Sequence, residues 1–370
     1  MVIRIEDVEF GLDSFGDVAT DGGQVMSDAE SLRLLVDEAQ LAESVGLGSF
    51  SVGEHYRPGM VDSATPVILA AIGQATSTIG LGTAVTVLST QDPVRLYQQF
   101  ATVDGLSGGR THLVLGRASV TESFPLFGYD ITEYEQIFEE KLDLFLRLMH
   151  EERVTWSGTY RSPLTDVRLH PRMREGGIPA WMGIGGSPGS VIRAALHAMP
   201  LMMAIIGGRP ERFAGHAELY LRTLDRFGHP ELPIGQHSLG FIADTDDQAK
   251  DMHWRYWKPV VEELRRERGF YPPTLERYRQ EVDSGSLYVG SPETVARRIA
   301  AIVRANHLSR FDLKYDVLHL PRDARETSIR LFGERVVPLV RELLHDDPGD
   351  WRLAGRTPAE IVKGGTAVRV

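Results

Sequence analysis

Short apolar runs alternate with amphipathic stretches along nearly the whole chain. The first run, VEFGLDSF (8–15), reads as a strand. Residues 28–45 then place Leu32, Leu35, Ala39 and Ala42 at helical spacing on one face. That helix opens on Ser27-Asp28-Ala29-Glu30, a capping box in which the Ser and Glu side chains each accept from an amide the first turn leaves unpaired. Gly46 is suited to end it. Strand 48–55, helix 64–77, strand 79–88, helix 92–106 and strand 111–116 follow. The run 79–88 is nearly continuous in apolar residues, as a parallel strand covered on both faces would be.

Residues 117–131 interrupt the rhythm without periodicity. Thr132-Glu133-Tyr134-Glu135 has the form of a second capping box, opening a helix over 133–149. Residues 150–179 read as irregular. After them come strand 180–185, helix 188–198, strand 200–207, helix 211–227 and strand 234–244. The stretch 246–281 is helical in pieces, broken by Gly269 and by Pro272-Pro273. Helix 292–305, strand 311–318 and helix 323–345 complete the series.

About eight strand–helix units imply a parallel sheet with right-handed crossovers. The spacing predicts an α/β fold, a (β/α)8 TIM barrel with insertions in its βα loops, over residues 1–345, and a peripheral tail over 346–370. A doubly wound open sheet is the rival arrangement. In a barrel the chemistry gathers at the C-terminal ends of the strands. That selects Asp13 and Ser14, Glu54 and His55, Thr86 to Ser89, Gly116 to Ser119, Gly185 to Ser187, and Gly207-Gly208.

Composition narrows the partners. Of 370 residues, 42% are hydrophobic, enough for a large core. The formal net charge is −11 and no run of Lys and Arg occurs, which argues against nucleic acid. The absence of cysteine removes disulfides, thiolate metal sites and thiol nucleophiles. Charges at Arg4, Glu6 and Asp7 leave no apolar signal core, and no run reaches the ~20 apolar residues of a membrane span, so a cytoplasmic protein is expected. The twelve His include no HExxH, so no metal site is expected.

The segment Gly185-Gly186-Ser187-Pro188-Gly189 matches the G-x-S-x-G elbow of serine hydrolases. The elbow's oxyanion hole uses the amide of the residue after the nucleophile, and here that residue is Pro188, which has none. The same corner suits another task. Ser187 can cap a helix, Pro188 is favoured at its first position, and Gly185 and Gly186 admit close backbone approach. Free amides at the positive end of a helix bind anions, phosphate above all. His55 follows Glu54 at a strand end, as a rim histidine or a proton handler. Arg117 ends strand 111–116 and suits a carboxylate or an anion, while Asp104 and Arg110 could pair on the outside.

The run 79–117, the segments GLGSFSVGEHY (46–56), FIADTD (241–246) and VGSPETVARRI (289–299), and the loop Gly185-Gly186-Ser187 together resemble the bacterial luciferase-like flavin-dependent monooxygenases. The resemblance covers roughly 1–345 in consistent order. It implies a (β/α)8 barrel, commonly dimeric, that takes reduced FMN from a separate flavin reductase and oxidises a small organic substrate with oxygen through a flavin peroxide. Some relatives use a deazaflavin for hydride transfer instead. The resemblance places a non-prolyl cis peptide at Ala84-Val85 beneath the flavin ring. It gives His55 a catalytic role, and it assigns Arg117, Gly186 and Ser187 to the phosphate. Thr86, Gly116, Ser119 and Gly185 are the neighbouring strand-end positions expected to meet the cofactor. Tyr56 and Glu135 depart from the family pattern: a His often stands at the first, and the family's most familiar member has an Arg at the second.

Overall fold

The structure, a computed structural model, describes residues 7–117, 121–268 and 271–346. Apart from Asp346 the expected tail lies outside them, as does Gly269. Eight parallel strands form the barrel: β1 (Glu9–Ser14), β2 (Ser49–Val52), β3 (Gly80–Thr83), β4 (Leu113–Gly116), β5 (Ala180–Ile184), β6 (Leu201–Ala204), β7 (Ile234–Ile242) and β8 (Arg310–Lys314). Around the wall they run β3, β2, β1, β8, β7, β6, β5, β4, so chain neighbours are spatial neighbours. A bridge from Leu81 to Thr111 and the pairing of Thr86–Val87 with Leu115–Gly116 bring the β3 side back to β4. The expected α/β barrel is therefore the fold, and the open sheet is not.

The strands alternate. Phe10, Leu12, Phe50, Val52, Phe311 and Leu313 belong to the main core shared with the surrounding helices. Each such side chain taken out of water stabilises by roughly 1.5–3 kcal/mol. Between them stand Gly11, Ser49, Ser51, Arg310 and Asp312, small or polar and buried. Inside the barrel Arg310 donates to Asp312 Oδ2 at 2.8 Å and to Ser49 Oγ at 3.0 Å. A Cβ on Gly11 would stand 2.5 Å from Asp312 Oδ1, so glycine is required for that layer to close. This polar layer is the floor beneath the site.

Local signals held where local physics decides. The helix Asp28–Ser44 carries both bonds of its capping box, Ser27 N–H to Glu30 Oε2 at 2.8 Å and Glu30 N–H to Ser27 Oγ at 3.4 Å. Its buried face is rotated from the expected one. Leu32 faces out, and Glu38 is buried, accepting from the Tyr315 hydroxyl at 2.6 Å. The second capping box does not form. Asp130 caps the turn instead, its Oδ1 accepting from Thr132 N–H at 2.8 Å, and Glu135 is drawn away to two arginines. Nor do Asp104 and Arg110 pair. Arg110 donates to the carbonyls of Gly73, Thr76, Ile79 and Ser107, and Asp104 takes the Thr111 amide. The stretch 150–179, expected to be irregular, holds an antiparallel ribbon of Val154–Trp156 and Leu164–Val167.

Candidate active site

A cavity of about 360 Å³ opens at the C-terminal ends of the barrel strands. Its apolar lining includes Phe15, Val85, Val87, Val114, Ile184, Met202 and Ile206, and its polar lining includes Asp13, Glu54, His55, Arg117, Ser187, His237 and Asp312. A mostly apolar concavity with a few converging polar groups is the usual form of a small-molecule site.

One wall is built around the peptide Ala84–Val85, which is cis and divides the expected strand 79–88 into Gly80–Thr83 and Thr86–Val87. Glu54 fixes the exit from that peptide. Its carboxylate accepts from the Val87 amide at 2.9 Å, the Tyr56 hydroxyl at 2.6 Å and the Gln91 amide at 2.7 Å. Gly116 and Gly183 lie against Val85; a Cβ at these positions would come within 2.5 Å and 3.1 Å of its methyls.

At one end of this wall the chain turns from β5 into the helix Pro188–Leu196. Ser187 takes the N-cap position, but its hydroxyl makes no capping bond. Gly186 has φ +108°, open to glycine alone, and its carbonyl accepts from His216 Nε2–H at 2.8 Å. Among the described residues no hydrogen bond uses the amides of Gly186 or Ser187. Arg117 reaches the first turn of this helix, donating to Ser190 Oγ at 3.0 Å. It also pairs with Glu135, which accepts from Arg193 at 2.9 Å. Burial acts to raise the Glu135 carboxyl, but the two guanidiniums prevail and hold it below its ordinary value.

His55 sits on the adjoining wall. Its Nδ1 lies 2.7 Å from Asp62 Oδ2 and its main-chain N–H donates to Asp62 Oδ1 at 3.1 Å. Among the described residues Nε2 enters no hydrogen bond, so it is the nitrogen left to a ligand in the cavity. Burial pushes the Asp62 carboxyl up to about 6, against the lowering pull of His55. The Phe15 ring stands between two imidazoles, 4.5 Å from His55 and 5.6 Å from His237 by centroid.

The structure thus gathers His55, Ala84, Val85, Gly116, Arg117, Gly185 and Ser187 on one cavity, while Gly186, between two of these, does not itself line it. Thr86 is buried with its hydroxyl unpartnered and does not line the cavity. Ser119 lies outside the described residues. Asp62, Phe15, Met202 and His237 were not singled out from the sequence. Asp62 stands seven residues beyond His55 in a stretch without periodicity. His237 falls in the middle of a nine-residue strand, and only its register opposite Ala204, the last residue of β6, brings it to the cavity. Among the described residues no cluster of three or more His, Asp or Glu is arranged to hold a metal ion. No helix among them is long and apolar enough to cross a membrane.

Comparison with known proteins covers most of this framework. A family model described as luciferase-like monooxygenase matches residues 14–307. The chain is 25% identical over 344 residues to the F420-dependent glucose-6-phosphate dehydrogenase of Kribbella flavida, across 84% of this chain and 95% of that one. Among solved structures, monooxygenase RslO1 from Streptomyces bottropensis superposes with a TM-score of 0.80 at 22% identity, covering 89% of this chain and 99% of its own. The oxygenating constituent of 3,6-diketocamphane monooxygenase from Pseudomonas putida, in complex with FMN, superposes with a TM-score of 0.71 at 20% identity, covering 90% and 98%.

Proposed function

The chain belongs to the luciferase-like monooxygenase family, and on that premise we propose that it is a flavin-dependent monooxygenase that uses reduced FMN and molecular oxygen to oxidise a small organic substrate. The observation that carries this reading is one cavity joining two ends. At one end stand Ser187 and Arg117, next to Gly186, with no hydrogen bond to the Gly186 or Ser187 amide among the described residues; at the other stands His55, whose Nε2 meets none among them. A flat group carrying a phosphate fits such a site: the phosphate would lie at the helix start and Arg117, and the ring along Ala84–Val85.

Reduced FMN, when bound, supplies the electrons that activate oxygen. The chain's own residues do the rest. Arg117 and the Gly186 and Ser187 amides hold the phosphate. Val85, backed by Gly116 and Gly183, supports the ring. The apolar walls of Val87, Val114, Met202 and Ile206 exclude water. His55 Nε2 holds or passes a proton, with Asp62 fixing the tautomer through Nδ1. The reading includes a separate reductase as the source of reduced flavin, a homodimer and a cytoplasmic location.

Titration with oxidised FMN and with riboflavin tests it. A phosphate cradle predicts FMN binding at least about tenfold tighter than riboflavin, followed by oxygen uptake when reduced FMN and an organic substrate are supplied. Equal affinities for the two flavins would reject the cradle. The 25% identity to a deazaflavin-dependent dehydrogenase over 84% of the chain favours a second reading, hydride transfer with a deazaflavin. Oxygen-independent reduction of a deazaflavin, with no FMN binding, would select it.

A further inference from the structure

Resting on the flavin-dependent reading above, we infer that Asp13 and His237 form the binding wall for the organic substrate, and that this substrate is a neutral or cationic molecule with an apolar body and an O–H or N–H group, not a carboxylate. Both residues line the cavity, Asp13 from β1, opposite the β5 end that leads to Ser187, and His237 from β7, with β6 between it and β5. Asp13 Oδ2 is bonded to His237 Nδ1. That bond leaves two unmet groups at the wall. Asp13 is 1% exposed and its Oδ1 has no hydrogen-bond partner among the described residues. His237 Nε2 enters no hydrogen bond among the described residues. A buried carboxylate oxygen without a donor is costly, and a ligand N–H or O–H relieves it.

The other acids on the cavity do not share this need. Glu54 is saturated by Val87, Tyr56 and Gln91, and Asp312 by Arg310. Asp13 is therefore the lining carboxylate with unused acceptor capacity. The charge balance points the same way. Among the described lining residues Asp13, Glu54 and Asp312 are acidic, Asp312 being matched by Arg310 in the layer beneath, and the lining cation, Arg117, stands at the Ser187 end. A carboxylate ligand against Asp13 would meet like charge in a poorly hydrated site. Phe15, between the two imidazoles, with Met202, Ala204 and Ile206, supplies an apolar surface for the rest of the molecule.

The experiment uses the full chain saturated with oxidised FMN and two probes of equal ring size, cyclohexanol and cyclohexanecarboxylate, titrated at neutral pH by saturation-transfer NMR. Cyclohexanol binds at least about tenfold more tightly in the wild type. Asp13→Asn brings the two probes within about threefold of each other, and His237→Phe weakens cyclohexanol about tenfold, with FMN affinity held within about twofold in both. Should Asp13→Asn fail to fold, His237→Phe alone decides. Equal affinities for the two probes in the wild type, or binding of neither, overturn the inference. A large loss of FMN affinity in either variant also overturns it, by assigning the wall to the flavin. Failure of the wild type to bind FMN at all strikes instead at the functional reading on which it rests.

Discussion

Asp62 holds His55 at two points, with Oδ1 on the main-chain N–H at 3.1 Å and Oδ2 on Nδ1 at 2.7 Å. Backbone and ring are fixed by one carboxylate, so the ring nitrogen facing the cavity is defined. Asp62→Asn replaces one of the two acceptor oxygens with an NH2 donor, so the pair that holds both the main-chain N–H and Nδ1–H is lost. Turnover is expected to fall by about 10²- to 10³-fold, while FMN affinity stays within about twofold. Steady-state kinetics set beside flavin titration check this, and equal losses in both would reduce Asp62 to a structural role. Because burial places the Asp62 carboxyl at about 6, wild-type turnover falls as pH drops through that value and the carboxylate is lost.

Glu38 predicts a pH dependence of stability. It is buried between its helix and the chain that follows β8, with Tyr315 and Arg325, and burial pushes its carboxyl up to about 7. The folded protein therefore binds this proton across a pH range in which the unfolded chain has released it. Its contribution is present below the ordinary carboxylate value and is lost as pH rises through about 7. In Glu38→Gln that slope disappears. Between pH 5 and pH 8 the wild type loses about 2 kcal/mol relative to the variant. Denaturant titration at the two pH values measures the difference, and parallel curves would refute it.

Glu135 bears on phosphate affinity. Its carboxylate engages both Arg117 and Arg193 beside the Ser187 corner. Glu135→Gln frees Arg117 from a competing anion, while Arg193 keeps its pair with Glu139, and FMN binding tightens about threefold to tenfold while riboflavin is unchanged. Ser187→Asp puts like charge at the same corner and weakens FMN by about tenfold or more. Parallel changes for FMN and riboflavin in these variants would place the phosphate elsewhere.

Gly116→Ala tests the wall behind the cis peptide. The new Cβ would stand 2.5 Å from Val85 Cγ2, in a side chain packed against Val114, Trp181 and Met202. Val85 must move into the cavity or the strands must part. Stability falls by about 1–3 kcal/mol, and flavin affinity drops with it. Thermal melting and flavin titration check both, and an unchanged flavin affinity would show that Val85 does not meet the ring.

The sequence by itself determined the order of elements, the barrel, the helix start at Ser27 and the corner at Ser187. These follow from period and from contacts within a few residues, which a chain carries in its own order. Tertiary structure decided what lies opposite what. Asp13 and His237 are 224 residues apart, and the register of their two strands on β8 between them brings them together. Glu135 forsakes a local cap because Arg117 and Arg193, brought in from another strand and another helix, offer a carboxylate more than one backbone amide can. Burial of Glu38 and the unmet oxygen of Asp13 arise in the same way: desolvation is a property of everything packed around a group, and no short stretch of chain contains it.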